Sequence, residues 1–269
     1  MVKKLLKYEF SAFGKSILPM EIILIAIAAF QRVLQLFEND STTYTIFNVS
    51  SIIMLVVAMI VCIVMTVALC IVRFYKNMFT AEGYLTLTLP VTHTQHIFAK
   101  LITAVCACVA SVISVIVAGI IATAGDVFHE IVKAGVYFLK LMQNEIHWHL
   151  SAYALEIIVL LIVAIASNFL LYYTCMTIGQ MAHKNRVLAS FGVYFAYYIL
   201  TQILGTIFII VFVAIRNTPF MVAIFNWLGK HPIGGIHIFL CSFIVISAIL
   251  GVVFYFITKY VMKHKLNIE

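Results

Sequence analysis

The chain has 269 residues, 64% of them hydrophobic and only 10% charged, with a formal net charge of +7 and a mean hydropathy of +1.13. Soluble domains run to about 45–50% apolar and about 25% charged residues, so a protein of this composition cannot cover its own surface in water. It is read as an integral membrane protein with no room for a soluble domain.

Residues 2–17 place Val2, Leu5, Leu6, Phe10, Phe13 and Ile17 on one helical stripe, with Lys3, Lys4 and Lys7 elsewhere on the wheel. A basic amphipathic helix of this kind lies in the plane of a membrane interface. The competing reading is a signal peptide with Ala26-Ile27-Ala28 as its cleavage site. Glu21 interrupts the apolar core that such a peptide needs, and five more apolar runs follow.

Six runs can cross a bilayer, at roughly 18–37, 51–73, 101–124, 153–175, 188–215 and 236–260. About 20 apolar residues span a hydrocarbon core of about 30 Å as a helix. These runs are too long for barrel strands and lack their alternation. Backbone groups in lipid must be satisfied within the segment, so helices are expected. The fold class is therefore all-α integral membrane, with six transmembrane helices preceded by an interfacial one. Pro19, Pro90, Pro219 and Pro232 fall at or outside the expected span ends, where a missing N–H costs least.

Orientation follows from the basic residues. With both termini cytoplasmic, the inner side carries Lys3, Lys4, Lys7, Lys15, Arg73, Lys76, Lys100, Lys184, Arg186, Lys259, Lys263 and Lys265, and the outer side Arg32, Lys133, Lys140, Arg216 and Lys230. Twelve against five of the 17 agrees with the positive-inside rule. The charge is thus read as topology, and no nucleic-acid partner is expected. Cys62, Cys70, Cys106, Cys108, Cys175 and Cys241 all fall within spans, as small apolar residues rather than disulfides or zinc ligands.

Between the spans, 74–100 lies inside and 125–152 outside. The outer segment has helical character over 126–150, with Phe128, Ile131, Val132 and Leu139 among polar neighbours. In the outer loop 216–235, the apolar run Phe220 to Leu228 is too short to cross and reads as interfacial or re-entrant. Gly229, Pro232, Gly234 and Gly235 are expected to break any helix before the last span.

Enzyme chemistry is not expected. Phe13-Gly14-Lys15-Ser16 resembles the tail of a phosphate-binding loop, but Glu9 stands where the leading glycine is required. His129-Glu130-Ile131-Val132-Lys133 begins like a zinc-protease helix and ends in lysine. His147-Trp148-His149 is read as interfacial polar residues beside a belt tryptophan rather than a metal site. No catalytic residue and no metal ligand is assigned.

Ionisable groups inside the spans are costly. Glu21 and Glu156 each sit about one turn into a span, where snorkelling or pairing competes with a functional role. Glu156 shares a face with Ser167, a candidate pathway wall. The fifth span carries a polar stripe of Tyr194, Tyr198, Thr201, Gln202, Gly205 and Thr206, with Tyr197 alongside. A helix–helix seam and a substrate-facing wall both fit it.

Arg73-Phe74-Tyr75-Lys76-Asn77 leads into Glu82-Gly83-Tyr84-Leu85-Thr86-Leu87-Thr88-Leu89-Pro90-Val91, then Ile97 and Lys100-Leu101. This stretch resembles the first cytoplasmic loop of type-2 permeases of ATP-binding-cassette exporters: an acid and a glycine, a leucine-rich turn, a proline, and a lysine opening the third span. The six spans, the basic N-terminal helix and the broken apolar loop before the last span match as well. The resemblance implies the type-2 exporter permease fold, with a coupling helix around 77–88 that docks on a separate ATPase. Phe79, Glu82, Gly83, Tyr84 and Leu85 would make that contact. Lys184 and Arg186, in the second cytoplasmic loop 179–186, would make a lesser one.

The resemblance further implies a homodimer of permeases in the bacterial cytoplasmic membrane, two ATPase copies below, and no cofactor on this chain, with ATP and Mg on the partner. Amphipathic peptides, such as phenol-soluble-modulin-type toxins or bacteriocins, are the expected cargo, which would make toxin export a virulence function. Glu156, Tyr194, Tyr198, Thr201 and Gln202 would line the path. Drug or lipid export, or immunity to peptide antibiotics, are alternatives on the same fold; a channel or an intramembrane enzyme fits less well.

Overall fold

The computed structural model describes residues 2–37, 41–80, 92–146, 149–182 and 184–264, and among these there is no strand. Among the described residues eight helices follow in order: α1 (Val2–Leu36), α2 (Thr42–Phe79), α3 (His93–Thr123), α4 (Asp126–Ile146), α5 (His149–Gly179), α6 (Arg186–Ile215), α7 (Pro219–Lys230) and α8 (Pro232–His264). All except α4 and α7 are long and apolar enough to cross a membrane. Their outward faces are apolar too. Phe195, Leu204 and Phe208 on α6 are all exposed, a surface that water would not tolerate on a soluble monomer and that lipid covers. The chain is an all-helical protein of multi-pass membrane type.

The helices gather into two compact units, Met1–Met142 and Gln143–Glu269. In the first, α1 and α3 run parallel: Glu9 meets Lys100 and Glu21 meets Ser111, pairs 91 and 90 positions apart. The opposite direction of α2 shows in its partners, since Glu9 reaches Arg73 while Gln31 reaches Asn48. Between the three helices lie Leu24, Ala28, Leu55, Cys62, Ala118 and Ala122. The small residues among them permit close approach of the backbones.

Three sequence expectations change here. The first concerns Pro19, expected at the boundary between an interfacial helix and the first span; it lies inside a single helix. A proline in a helix interior costs about 3 kcal/mol. One unbroken buried stripe offsets that cost: Glu9, Phe13 and Ile17 before the proline, Glu21, Leu24, Ala28 and Gln31 after it. Steps of four and three keep all seven on one face. This stripe is not the one expected, since Phe10 is 44% exposed and the acid Glu9 is buried.

The second change is between α2 and α3. α2 continues to Phe79 and α3 begins at His93, so the connection is much shorter than 74–100. The start of α3 is fixed by a capping box in which Thr92 and Gln95 satisfy each other's backbone N–H groups. Lys100 therefore sits two turns inside α3 rather than at its start. Gly125 turns the chain from α3 to α4 at φ 122, a conformation that favours glycine.

In the second unit α5 and α8 are parallel, with Tyr153 bonded to Ile233, Ser167 to Ser247 and Thr174 to Phe254, each pair 80 positions apart. Gly251 allows the close crossing: a Cβ there would lie 3.0 Å from Ser167 Oγ. α6 packs against α5 and folds back from it tightly, because a Cβ on Gly179 would lie 2.6 Å from the Ser190 backbone nitrogen. The third change is at α8, which starts at Pro232 and runs through Gly234 and Gly235. Proline suits the first turn of a helix, where its missing N–H has no intrahelical partner. Pro232 thus opens the helix that it was expected to prevent, and Pro219 does the same for α7.

Candidate functional site

Three charged residues meet at the end of the first unit where α2 stops and α3 starts. Glu9 Oε2 accepts from Arg73 Nε at 3.0 Å, and Glu9 Oε1 accepts from Lys100 Nζ at 2.7 Å. The side chains of Lys100 and Glu9 are 4% and 7% exposed, and that of Arg73 is 23% exposed. Arg73 also stands 4.8 Å from the centroid of the Phe13 ring, a cation–π contact. Each carboxylate oxygen thus has its own cation, which is what a buried charge requires to remain charged.

The placement has a mechanical consequence. Arg73 lies less than two turns before the end of α2, and Lys100 about two turns after the start of α3. Glu9 ties the end of α2 and the start of α3 to α1. Further along the same helices, Ser111 Oγ contacts both Glu21 Oε1 at 3.4 Å and Thr66 Oγ1 at 2.7 Å. Gln31 completes the ladder by bonding Asn48 at 2.9 Å and Ser51. Glu21 is therefore paired within the unit and does not snorkel.

Of the residues expected to meet an ATPase, Phe79 closes α2. It is half-buried, with its ring 5.7 Å from Phe74 and 6.0 Å from Tyr75. Glu82, Gly83, Tyr84 and Leu85 lie outside the described residues. Between α5 and α6 Lys184 and Arg186 are both exposed, flanking Asn185, which adopts a left-handed conformation at φ 52.

The stripe on α6 stays on the surface of the chain. Tyr194 and Tyr198 are 40% and 51% exposed, Gln202 is exposed and Thr201 half-buried. Their polar atoms are largely satisfied along the helix: Gln202 donates to the Tyr198 hydroxyl at 3.1 Å and Thr201 to the Tyr198 carbonyl at 2.8 Å. Tyr194 also faces Tyr172 of α5, ring to ring at 5.8 Å.

Glu156 is placed apart from that stripe, in the seam between α5 and α8. Its Oε1 lies 2.7 Å from His237 Nδ1, and His237 Nε2 lies 3.2 Å from His149 Nδ1. The Tyr153 ring stacks on His237 at 4.2 Å. Ser167, on the same face of α5, also turns into this seam. Among the described residues no group of three or more His, Cys, Asp or Glu is arranged to hold a metal ion.

Sequence reasoning missed two partners. His237 sits about one turn into the last long helix, a position that could have been matched with Glu156 in the parallel helix. Glu9 carried a visible signal as well: it stands four residues before Phe13 and eight before Ile17, an acid at a position of the apolar face. Compared with protein-family models, curated proteins and solved structures, the chain gives no match.

Proposed function

We propose that the chain is the membrane permease of an ATP-driven exporter of the type-2 cassette kind, working with a separate cytoplasmic ATPase that binds ATP and Mg. The clasp of Glu9 on Arg73 and Lys100 is the observation that supports this reading. A loop that is pushed by a partner needs both of its stems fixed to the spans, or the push is lost in local bending. Here both stems are fixed to the same carboxylate. Segment 81–91, with Glu82 as its acid and Tyr84 and Leu85 as apolar anchors, is then the docking piece. Movement of the ATPase would reach the spans as a rigid-body displacement.

The exposed face of α6 supports pairing of two copies through a wall that also contacts cargo. Tyr172, Tyr194 and Tyr198 give it an aromatic, uncharged character suited to an amphipathic peptide. The setting is a bacterial cytoplasmic membrane with both termini inside.

Copurification tests the proposal. The chain is coexpressed with a candidate cassette ATPase and captured by a tag on the permease. Wild type should retain the ATPase, and Glu82→Arg should lose it while its helicity and elution volume stay unchanged. Equal retention by both proteins would overturn the docking assignment.

A further inference from the structure

A cleft of about 290 Å³ opens between α1 and α2 beside the clasp, lined by Phe13, Ser16, Leu69, Val72, Arg73 and Lys76 among others. Its walls are ordered by polarity. Along α2, apolar Leu69 and Val72 come first and the cations Arg73 and Lys76 follow towards the end of the helix. Among the described residues no carboxylate lines it. Glu9 stands behind Arg73 and is already shared with Lys100, so among the described residues Lys76 adds a cation to the cleft that no ion pair offsets.

We infer that this cleft holds an anionic glycerophospholipid, with its phosphate on Arg73 and Lys76 and the upper part of one acyl chain against Phe13, Leu69 and Val72. Three observations favour that occupant. The sequence from apolar to cationic follows a lipid standing in a leaflet, head at the surface and chain inward. The volume equals roughly ten waters at about 30 Å³ each, enough for a headgroup phosphate and the start of one chain. An inorganic anion would satisfy the cations and leave the apolar wall facing it, whereas a zwitterionic lipid would bring its own cation against Lys76. Basic residues next to a membrane span attract anionic headgroups, and here an apolar floor is added to the attraction. The inference does not depend on an ATPase partner, because it uses only the first unit and a surrounding bilayer.

Native mass spectrometry of the full chain, released from nanodiscs of equimolar phosphatidylglycerol and phosphatidylcholine, tests it. Wild type should retain phosphatidylglycerol over phosphatidylcholine by tenfold or more. Lys76→Glu should abolish the preference by reversing charge at the head, and Val72→Trp should lower total lipid retention by filling the chain pocket. Val72 is 48% exposed, so the larger ring can be accommodated without unfolding the bundle. Equal retention of the two lipids by wild type would overturn the inference even if both variants failed to fold. So would an unchanged preference in folded Lys76→Glu, or unchanged total retention in folded Val72→Trp. A third arm uses soluble glycerol 3-phosphate: displacement of the lipid at millimolar concentration would show an anion site without lipid specificity and would also overturn it.

Discussion

Glu9→Gln is the most informative single change, because it removes the one carboxylate that meets both Arg73 and Lys100. Deleting one partner of a buried ion pair costs roughly 3–5 kcal/mol, chiefly through the charge left without compensation. Lys100, at 4% side-chain exposure, takes most of that penalty, while Arg73 at 23% keeps some solvent and the ring of Phe13. The expected cost is therefore near the lower bound, about 3 kcal/mol. For a chain of this size about 1 kcal/mol moves Tm by about 2–4 °C, so the shift should be about 6–12 °C downward. Thermal unfolding of the detergent-solubilised protein, followed by helicity, measures it. Lys100→Met alone should cost less, since Glu9 then keeps Arg73. The double variant Glu9→Gln with Lys100→Met should be more stable than Glu9→Gln, because a buried pair replaced by uncharged groups is often neutral. A shift below about 2 °C for Glu9→Gln, or additive losses in the double variant, would refute the account of the clasp.

At the turn between α5 and α6, Gly179→Ala should destabilise by about 1–3 kcal/mol, as overpacking does, because the new Cβ meets Ser190 backbone nitrogen and Cα at 2.6 and 2.7 Å; a Tm equal to wild type would deny the close approach. In the α5–α8 seam, His237→Ala should lower Tm more than Glu156→Gln does, since it leaves the half-buried carboxylate without its partner at 2.7 Å. Combining the two should restore part of the loss, and strict additivity would show that the pair is not coupled. Gly251→Leu should separate α5 from α8 at Ser167, where even a Cβ comes within 3.0 Å of the hydroxyl. A disulfide probe placed across Ser167 and Ser247 should then close more slowly than in the parent, and an unchanged rate would count against the crossing.

The six long helices were legible because apolar length alone decides them, and the two short ones, α4 and α7, because amphipathic or apolar runs too short to cross announce themselves. Helix ends were less legible, for physical reasons that differ from case to case. The start of α3 was written in the sequence as Thr92 with Gln95 three residues on, but hydropathy draws the boundary where polar residues end, not where capping begins. The continuity of α1 through Pro19 could not be read locally, since it depends on partners 17 to 91 residues away on α2 and α3. Glu9 illustrates the same limit. Its two cations are 64 and 91 positions distant, and only the packing of three helices brings them together. His237 was overlooked for a simpler reason: the parallel register of α5 and α8, about 80 positions, is invisible until one pair is known.

The polar groups of the first unit are spread along its length rather than gathered at one point, and that distribution bears on how the proposed permease would move. Glu9 holds three helices together at one end, Ser111 links Glu21 and Thr66 further along, and Gln31 joins Asn48 and Ser51 at the far end. Had the helices been joined by apolar contacts alone, sliding past one another in lipid would lose little, since the bilayer solvates apolar side chains as well as a neighbouring helix does. Hydrogen bonds and ion pairs are different, because a polar group pulled from its partner inside the bilayer has no water to accept it. Three such ties at three depths resist both sliding and splaying of α1, α2 and α3. A push on the segment between α2 and α3 should therefore tilt or translate the three helices as one body. Loosening only the innermost tie by Glu9→Gln should uncouple ATP hydrolysis from transport while the ATPase stays bound, a separation that loss of docking by Glu82→Arg cannot produce.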